Sequence, residues 1–120
     1  NKPKGYVTTT SDERRRKTVV ELIKTNKHIF PVGRLDYNTT GILLLTNDGD
    51  FANKLTHPRN KVERIYVAKI NRPVTEKDKH RLLTGIFVDR RKSKFTKFEL
   101  LHESNPLKVI VGTIEGRNHF

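Results

Sequence analysis

Hydrophobic and polar positions change period several times along this chain, and each change marks an element. Residues 62–70 alternate, which places Arg64, Tyr66, Ala68 and Ile70 on one face of a strand and Ile65 and Val67 on the other. Residues 41–46 instead contain the unbroken run Ile42, Leu43, Leu44, Leu45, a pattern apolar on both faces that predicts a buried central strand. Residues 6–10 are aromatic and β-branched and predict a strand leading into a basic loop over residues 11–17. Further β-like stretches cover residues 28–32, 86–88, 94–101 and 107–114.

Three short helices are expected between them. Thr18-Val19-Val20-Glu21 has capping-box spacing and opens a helix to about Lys24. Asn47, Asp48 and Gly49 form a turn before a helix that carries Phe51 and Leu55 four apart and ends ahead of Pro58. Thr75 caps a helix that carries Leu82 and Leu83 and stops at Gly85. Strands and helices do not follow a regular βαβ alternation, so the fold class is α+β, a mixed and mainly antiparallel sheet flanked by short helices. A chain of 120 residues is long enough for one domain with a core, and residues 1–120 are expected to form one.

Charge narrows the function. With 25 Lys and Arg against 13 Asp and Glu, the formal net charge is +12, and a polyanion is the natural partner. No long apolar run or basic amphipathic helix points to a membrane. No secretory or stop-transfer segment is recognisable, and the absence of cysteine excludes disulfides and thiolate metal sites, so a cytoplasmic protein is expected. His28, His57, His80 and His102 lack metal-ligand spacing, and neither a phosphate-binding nor a dinucleotide-binding glycine motif is present; no metal and no cofactor are expected. Two basic runs, Arg14, Arg15, Arg16 and Lys17, then Arg90, Arg91, Lys92 and Lys94, are candidate phosphate contacts.

Candidate chemistry sits in Gly33-Arg34-Leu35-Asp36-Tyr37-Asn38-Thr39-Thr40-Gly41, between two strands. An aspartate held there with an arginine two residues away suits a nucleophile, and suits equally an Asx turn or a structural Arg–Asp pair.

Gly33-Arg34-Leu35-Asp36, followed by Thr40-Gly41-Ile42-Leu43-Leu44-Leu45-Thr46-Asn47-Asp48-Gly49, closely resembles the signature of one group of bacterial ribosomal RNA pseudouridine synthases. That group comprises type A, which serves the small ribosomal particle, and types B, E and F, which serve the large one. The resemblance extends over nearly the whole chain, from Asn1-Lys2-Pro3-Lys4-Gly5 at the start of the catalytic domain to Gly85-Ile86-Phe87-Val88-Asp89. Leu55-Thr56-His57-Pro58 and Val62-Glu63-Arg64 look closer to the type B branch. The resemblance implies the pseudouridine synthase catalytic fold, with Asp36 as the catalytic aspartate and Arg34 supporting the site or displacing the target base. It also implies Leu35 and Thr40 beside the substrate. Arg64-Ile65-Tyr66-Val67 resembles the second signature, with arginine in place of lysine, and there Tyr66 packs on the flipped uracil beside Arg64. Glu115-Gly116-Arg117-Asn118-His119 resembles the start of a third signature, which brings Asn118 and His119 to the substrate. Phe120 stands where that signature has glutamine, so the arginine that follows in the family, and an RNA-binding domain ahead of Asn1, are expected to lie outside this stretch, which alone should be inactive.

The implied reaction isomerises a uridine of ribosomal RNA without a cofactor, the protein acting as a monomer. Two other readings compete. A non-catalytic RNA-binding module on the same fold is consistent with the missing arginine, and a two-carboxylate glycoside hydrolase accounts for neither the charge nor the motif.

Overall fold

Short strands dominate the first half of the molecule and longer ones the second. In a computed structural model, which describes residues 1–114, the chain divides into two compact units, residues 1–60 and 61–120.

In the first unit, β1 (Phe30–Val32) pairs antiparallel with β2 (Leu44–Thr46), Phe30 opposite Thr46 and Val32 opposite Leu44. Helix α1 (Gly49–Thr56) follows, its start capped by the Asp48 carboxylate, which accepts from the Phe51 N–H at 3.1 Å. It ends before Pro58, which opens a 3₁₀ turn, Pro58–Asn60.

Three expectations for this unit need correction. Residues 6–10 form no strand: Val7 makes a single parallel bridge to Thr18, and the next residues bend. The threonines there spend their hydroxyls on backbone, Thr8 on Leu35 and Thr9 on Ser11, which competes with a ladder. The helix after Thr18 is only a 3₁₀ turn, Val19–Leu22, although Glu21 does reach back to accept from the Thr18 N–H at 2.8 Å. Two β-branched valines at its start disfavour propagation. Finally, the run over residues 41–46 is not a buried central strand. Gly41 bridges Lys2, β2 belongs to a two-stranded sheet, and Ile42 and Leu44 are 87% and 47% exposed. An apolar run reports what a strand is able to bury, and the number of neighbours in the fold determines how much it does bury.

The second unit holds a three-stranded antiparallel sheet in the order β3 (Arg64–Lys69), β7 (Asn105–Thr113), β6 (Lys97–His102). Register places Tyr66 and Phe98 opposite Val111, and Ala68 and Leu100 opposite Val109. Phe98, Val109 and Val111 form the buried cluster, and Tyr66, Ala68, Phe95, Leu82 and Leu83 pack against it. Each such side chain contributes roughly 1.5–3 kcal/mol on full burial. Leu82 and Leu83 belong to α2 (Glu76–Thr84), capped by Thr75, whose hydroxyl accepts from the Asp78 N–H at 3.1 Å, and closed by Gly85. A second hairpin joins β4 (Ile86–Val88) to β5 (Arg91–Ser93). β5 was not expected, because three residues of basic composition carry no apolar period. Every pairing between named strands is antiparallel, and the α+β class stands.

Candidate active site and RNA-binding surface

The loop from Gly33 to Leu43 connects β1 to β2 and carries Arg34, Leu35, Asp36 and Thr40. Gly33 begins it at φ 80°, a left-handed conformation that costs a glycine little. Asp36 and Thr39 close a turn, the Asp36 carbonyl accepting from the Thr39 N–H at 2.9 Å.

Two buried polar side chains hold this loop from outside it. Thr8 both donates to the Leu35 carbonyl at 2.6 Å and accepts from the Leu35 N–H at 3.2 Å. Lys2, only 2% exposed, sends its ammonium to the carbonyls of Asp36 (3.0 Å), Tyr37 (3.3 Å) and Thr39 (2.8 Å), as well as to Pro3 (3.1 Å). The backbones of Lys2 and Gly41 exchange hydrogen bonds at 2.7 and 3.2 Å. Burial pulls the Lys2 pKa below the ordinary lysine value, against the opposing pull of the Asp36 charge. Neither brace was foreseen: Lys2 lies 34 residues from Asp36, and nothing in its local sequence marks it as buried.

Replacing Lys2 by methionine is therefore expected to cost about 2–4 kcal/mol of stability, because several buried carbonyls lose their donor together. A urea titration reads this directly; a loss below about 1 kcal/mol would mean that water takes over the lysine's role.

Asp36 itself is exposed, and among the described residues its carboxylate makes no hydrogen bond or ion pair. Neither an Asx turn nor an Arg34–Asp36 pair is formed there. The turn is made by backbone alone and leaves the acid facing solvent. Leu35 is half-buried and its side chain lies beside Gly41, so it packs the loop; Thr40 is exposed.

Arg34 lies with Arg14 and Arg16 along a groove of about 620 Å³ that also presents the hydroxyl residues Thr8, Thr9 and Ser11. The three arginines are not equivalent. Asp12 accepts from Arg16 Nε at 3.1 Å and Nη2 at 3.0 Å, and this pairing holds the Asp12 carboxyl below its usual pKa. The same guanidinium stands 5.8 Å from the centre of the Tyr37 ring, next to Asp36 in sequence. Arg16 thus braces the groove, and Lys17 lies 5.9 Å from the Tyr6 ring. Arg14 and Arg15 remain exposed.

In the second unit, Arg64 and Tyr66 share the half-buried face of β3, as their spacing predicts. The Tyr66 ring packs against the Phe98–Val109–Val111 cluster, which fixes its position. Arg90 stands in the β4–β5 turn, Arg91 and Lys92 on β5, and Lys94 just after it. Asn118 and His119 lie outside the described residues.

Comparison with known proteins gives one consistent result. A family profile described as RNA pseudouridylate synthase matches residues 1–119. The chain is 40% identical to ribosomal large subunit pseudouridine synthase B of Bacillus subtilis (strain 168), over 98% of this chain and 50% of that protein. It is 39% identical to an RNA pseudouridine synthase of Aquifex aeolicus (strain VF5), over 99% of this chain and 49% of that one. A crystal structure of a pseudouridylate synthase superposes with a TM-score of 0.86 at 30% identity, covering 99% of this chain and 51% of that chain. The chain spans about half the length of these relatives.

Proposed function

The chain belongs to the RNA pseudouridylate synthase family, and from that membership we propose that the protein isomerises a uridine of ribosomal RNA to pseudouridine, with Asp36 as its catalytic carboxylate. The observation that carries the assignment is the Asp36 loop. Buried Lys2 and Thr8 hold its backbone, while the carboxylate is exposed and unengaged among the described residues. Such an arrangement suits a group that must meet a substrate, since its position is set without its own reactive atoms.

In the reaction the bond from ribose C1′ to uracil N1 breaks and a bond from C1′ to C5 forms. C5 loses its proton and N1 gains one, so no external reactant is consumed. Asp36 either adds to the anomeric carbon or removes a neighbouring ribose proton, and both routes need an ionised, accessible carboxylate. The uridine first leaves its stack, at a cost of a few kcal/mol that basic contacts and stacking offset. Arg34 supports the site or helps displace the target base. Tyr66, presented beside Arg64, holds the detached uracil and assists loss of the C5 proton. Arg14 and Arg15 contact phosphates, with Arg16 and Lys17 shaping that surface. We assign the protein to the cytoplasm as a monomer; among the described residues no helix is long and apolar enough to cross a membrane.

A pseudouridine map of ribosomal RNA, made with and without the gene, tests the proposal. One modified position is expected to disappear on deletion and to return with the intact protein. A non-catalytic RNA-binding module would leave the map unchanged, and that result would overturn the enzymatic reading.

A further inference from the structure

We propose that the β4–β5 hairpin is a stacking platform for single-stranded RNA, with Phe87 lying on a base and Arg90 at the tip and Lys92 beside the ring holding the neighbouring phosphates. This rests on the RNA reading above and adds a surface and a residue to it. The hairpin has two different faces. Ile86 opposite Ser93 turns inward, and Ser93 is 1% exposed. Phe87 opposite Lys92 turns outward, and Phe87 is 78% exposed, more than any other large hydrophobic residue among the described residues of the second unit.

Backbone features of the hairpin make room for the basic side chains near this ring. The Lys92 stem lies across Gly85, where a Cβ would collide with it, so glycine at the end of α2 makes room for the lysine. Asp89 and Arg90 form the two-residue turn with φ of 49° and 66°, both in the left-handed region. Hairpin turns of this kind favour Asn-Gly, and an arginine there carries a conformational cost. The hairpin thus keeps a cation at its tip where glycine would be easier.

One exposed ring among cations fits a nucleobase better than a protein surface. A phenyl ring buries at most about 250 Å², whereas a specific protein interface needs on the order of 1,000 Å² or more. A base offers a flat π-face of matching size and brings phosphates to the neighbouring cations.

Anisotropy titrations of the full-length protein with a labelled oligouridylate test the proposal. Phe87→Ala is expected to weaken binding about tenfold with the salt slope and thermal midpoint unchanged, since a ring is lost and no cation. Phe87→Leu should be as weak as alanine, because it keeps apolar bulk without a π-face, and Phe87→Trp should bind at least as tightly as phenylalanine. Arg90→Ala should lower the log–log salt slope by about 0.7. The proposal is overturned if Phe87→Ala binds within about twofold of wild type, if Phe87→Leu matches wild type, or if Phe87→Ala loses thermal stability together with affinity, which would place the ring against protein. Pseudouridine formation by the wild type separates the two readings. An active enzyme whose Phe87→Ala variant binds normally overturns the hairpin platform alone, and an inactive wild type whose RNA affinity depends on the Phe87 ring overturns only the enzymatic reading.

Discussion

Replacing Asp36 by asparagine in the full-length protein is expected to lower pseudouridine formation by at least about a thousandfold, with the fold and RNA affinity little changed. The amide is nearly isosteric but can neither add to an anomeric carbon nor take a proton. Stability should survive because the loop is held by backbone: Lys2 reaches the Asp36 carbonyl at 3.0 Å and the Thr39 N–H reaches it at 2.9 Å. Among the described residues no hydrogen bond uses the carboxylate, so what is lost with the charge is its electrostatic support of the buried Lys2 ammonium, while the hydrogen bonds that hold the loop remain. Binding should be unaffected or slightly tighter, since a negative charge is removed from a surface that meets phosphates. Single-turnover release of the C5 hydrogen as tritium, alongside an RNA-binding titration and a melting curve, separates the three quantities. Wild-type turnover by the asparagine variant would remove Asp36 from the chemistry. Loss of activity together with loss of folding would instead make it a structural residue.

RNA affinity is expected to fall steeply with salt. If four phosphates are neutralised, raising monovalent salt fourfold should weaken binding by roughly 50-fold on single strands and 150-fold on duplex. The net charge of +12 makes this the natural regime, and the structure names the groups. Arg14 and Arg15 are exposed, and Arg34 lines the same groove as Arg14. Arg16 is engaged by Asp12, so its replacement should alter the groove more than the salt slope. The double variant Arg14→Ala/Arg15→Ala should lower the log–log slope by about 1.4–1.8 while Arg16→Ala lowers it by less. A flat salt response, or equal slopes in all variants, would exclude this surface as the RNA contact.

Local chemistry made much of the second unit legible. The alternation over residues 62–70 identified β3 and the shared face of Arg64 and Tyr66, and the Thr75 cap and Gly85 stop bounded α2 within a residue. These signals lie within a few residues of what they control, as periodicity and capping require. The Asp36 motif was legible for a different reason, since a long contiguous signature needs no tertiary information to be matched.

The misplaced elements lay where distant partners compete with local preference. Residues 6–10 have β propensity, but Thr8 is used on a loop 27 residues away. The apolar run after Gly41 looked central, and only the strand order showed that β2 has a single partner. By itself, then, the sequence determined the antiparallel α+β class, the two faces of β3, the ends of α1 and α2, the polyanion-seeking charge and the position of the candidate aspartate, because each depends on local geometry, bulk composition or a contiguous motif. Tertiary structure alone decided that a buried Lys2 and Thr8 hold the Asp36 loop, that Arg16 is paired with Asp12 and lies over the Tyr37 ring, and that Phe87 stands outward beside Lys92. Burial and hydrogen-bond partnership are properties of which segments meet in space, and the side chains that settled these points meet partners from 4 to 37 residues away.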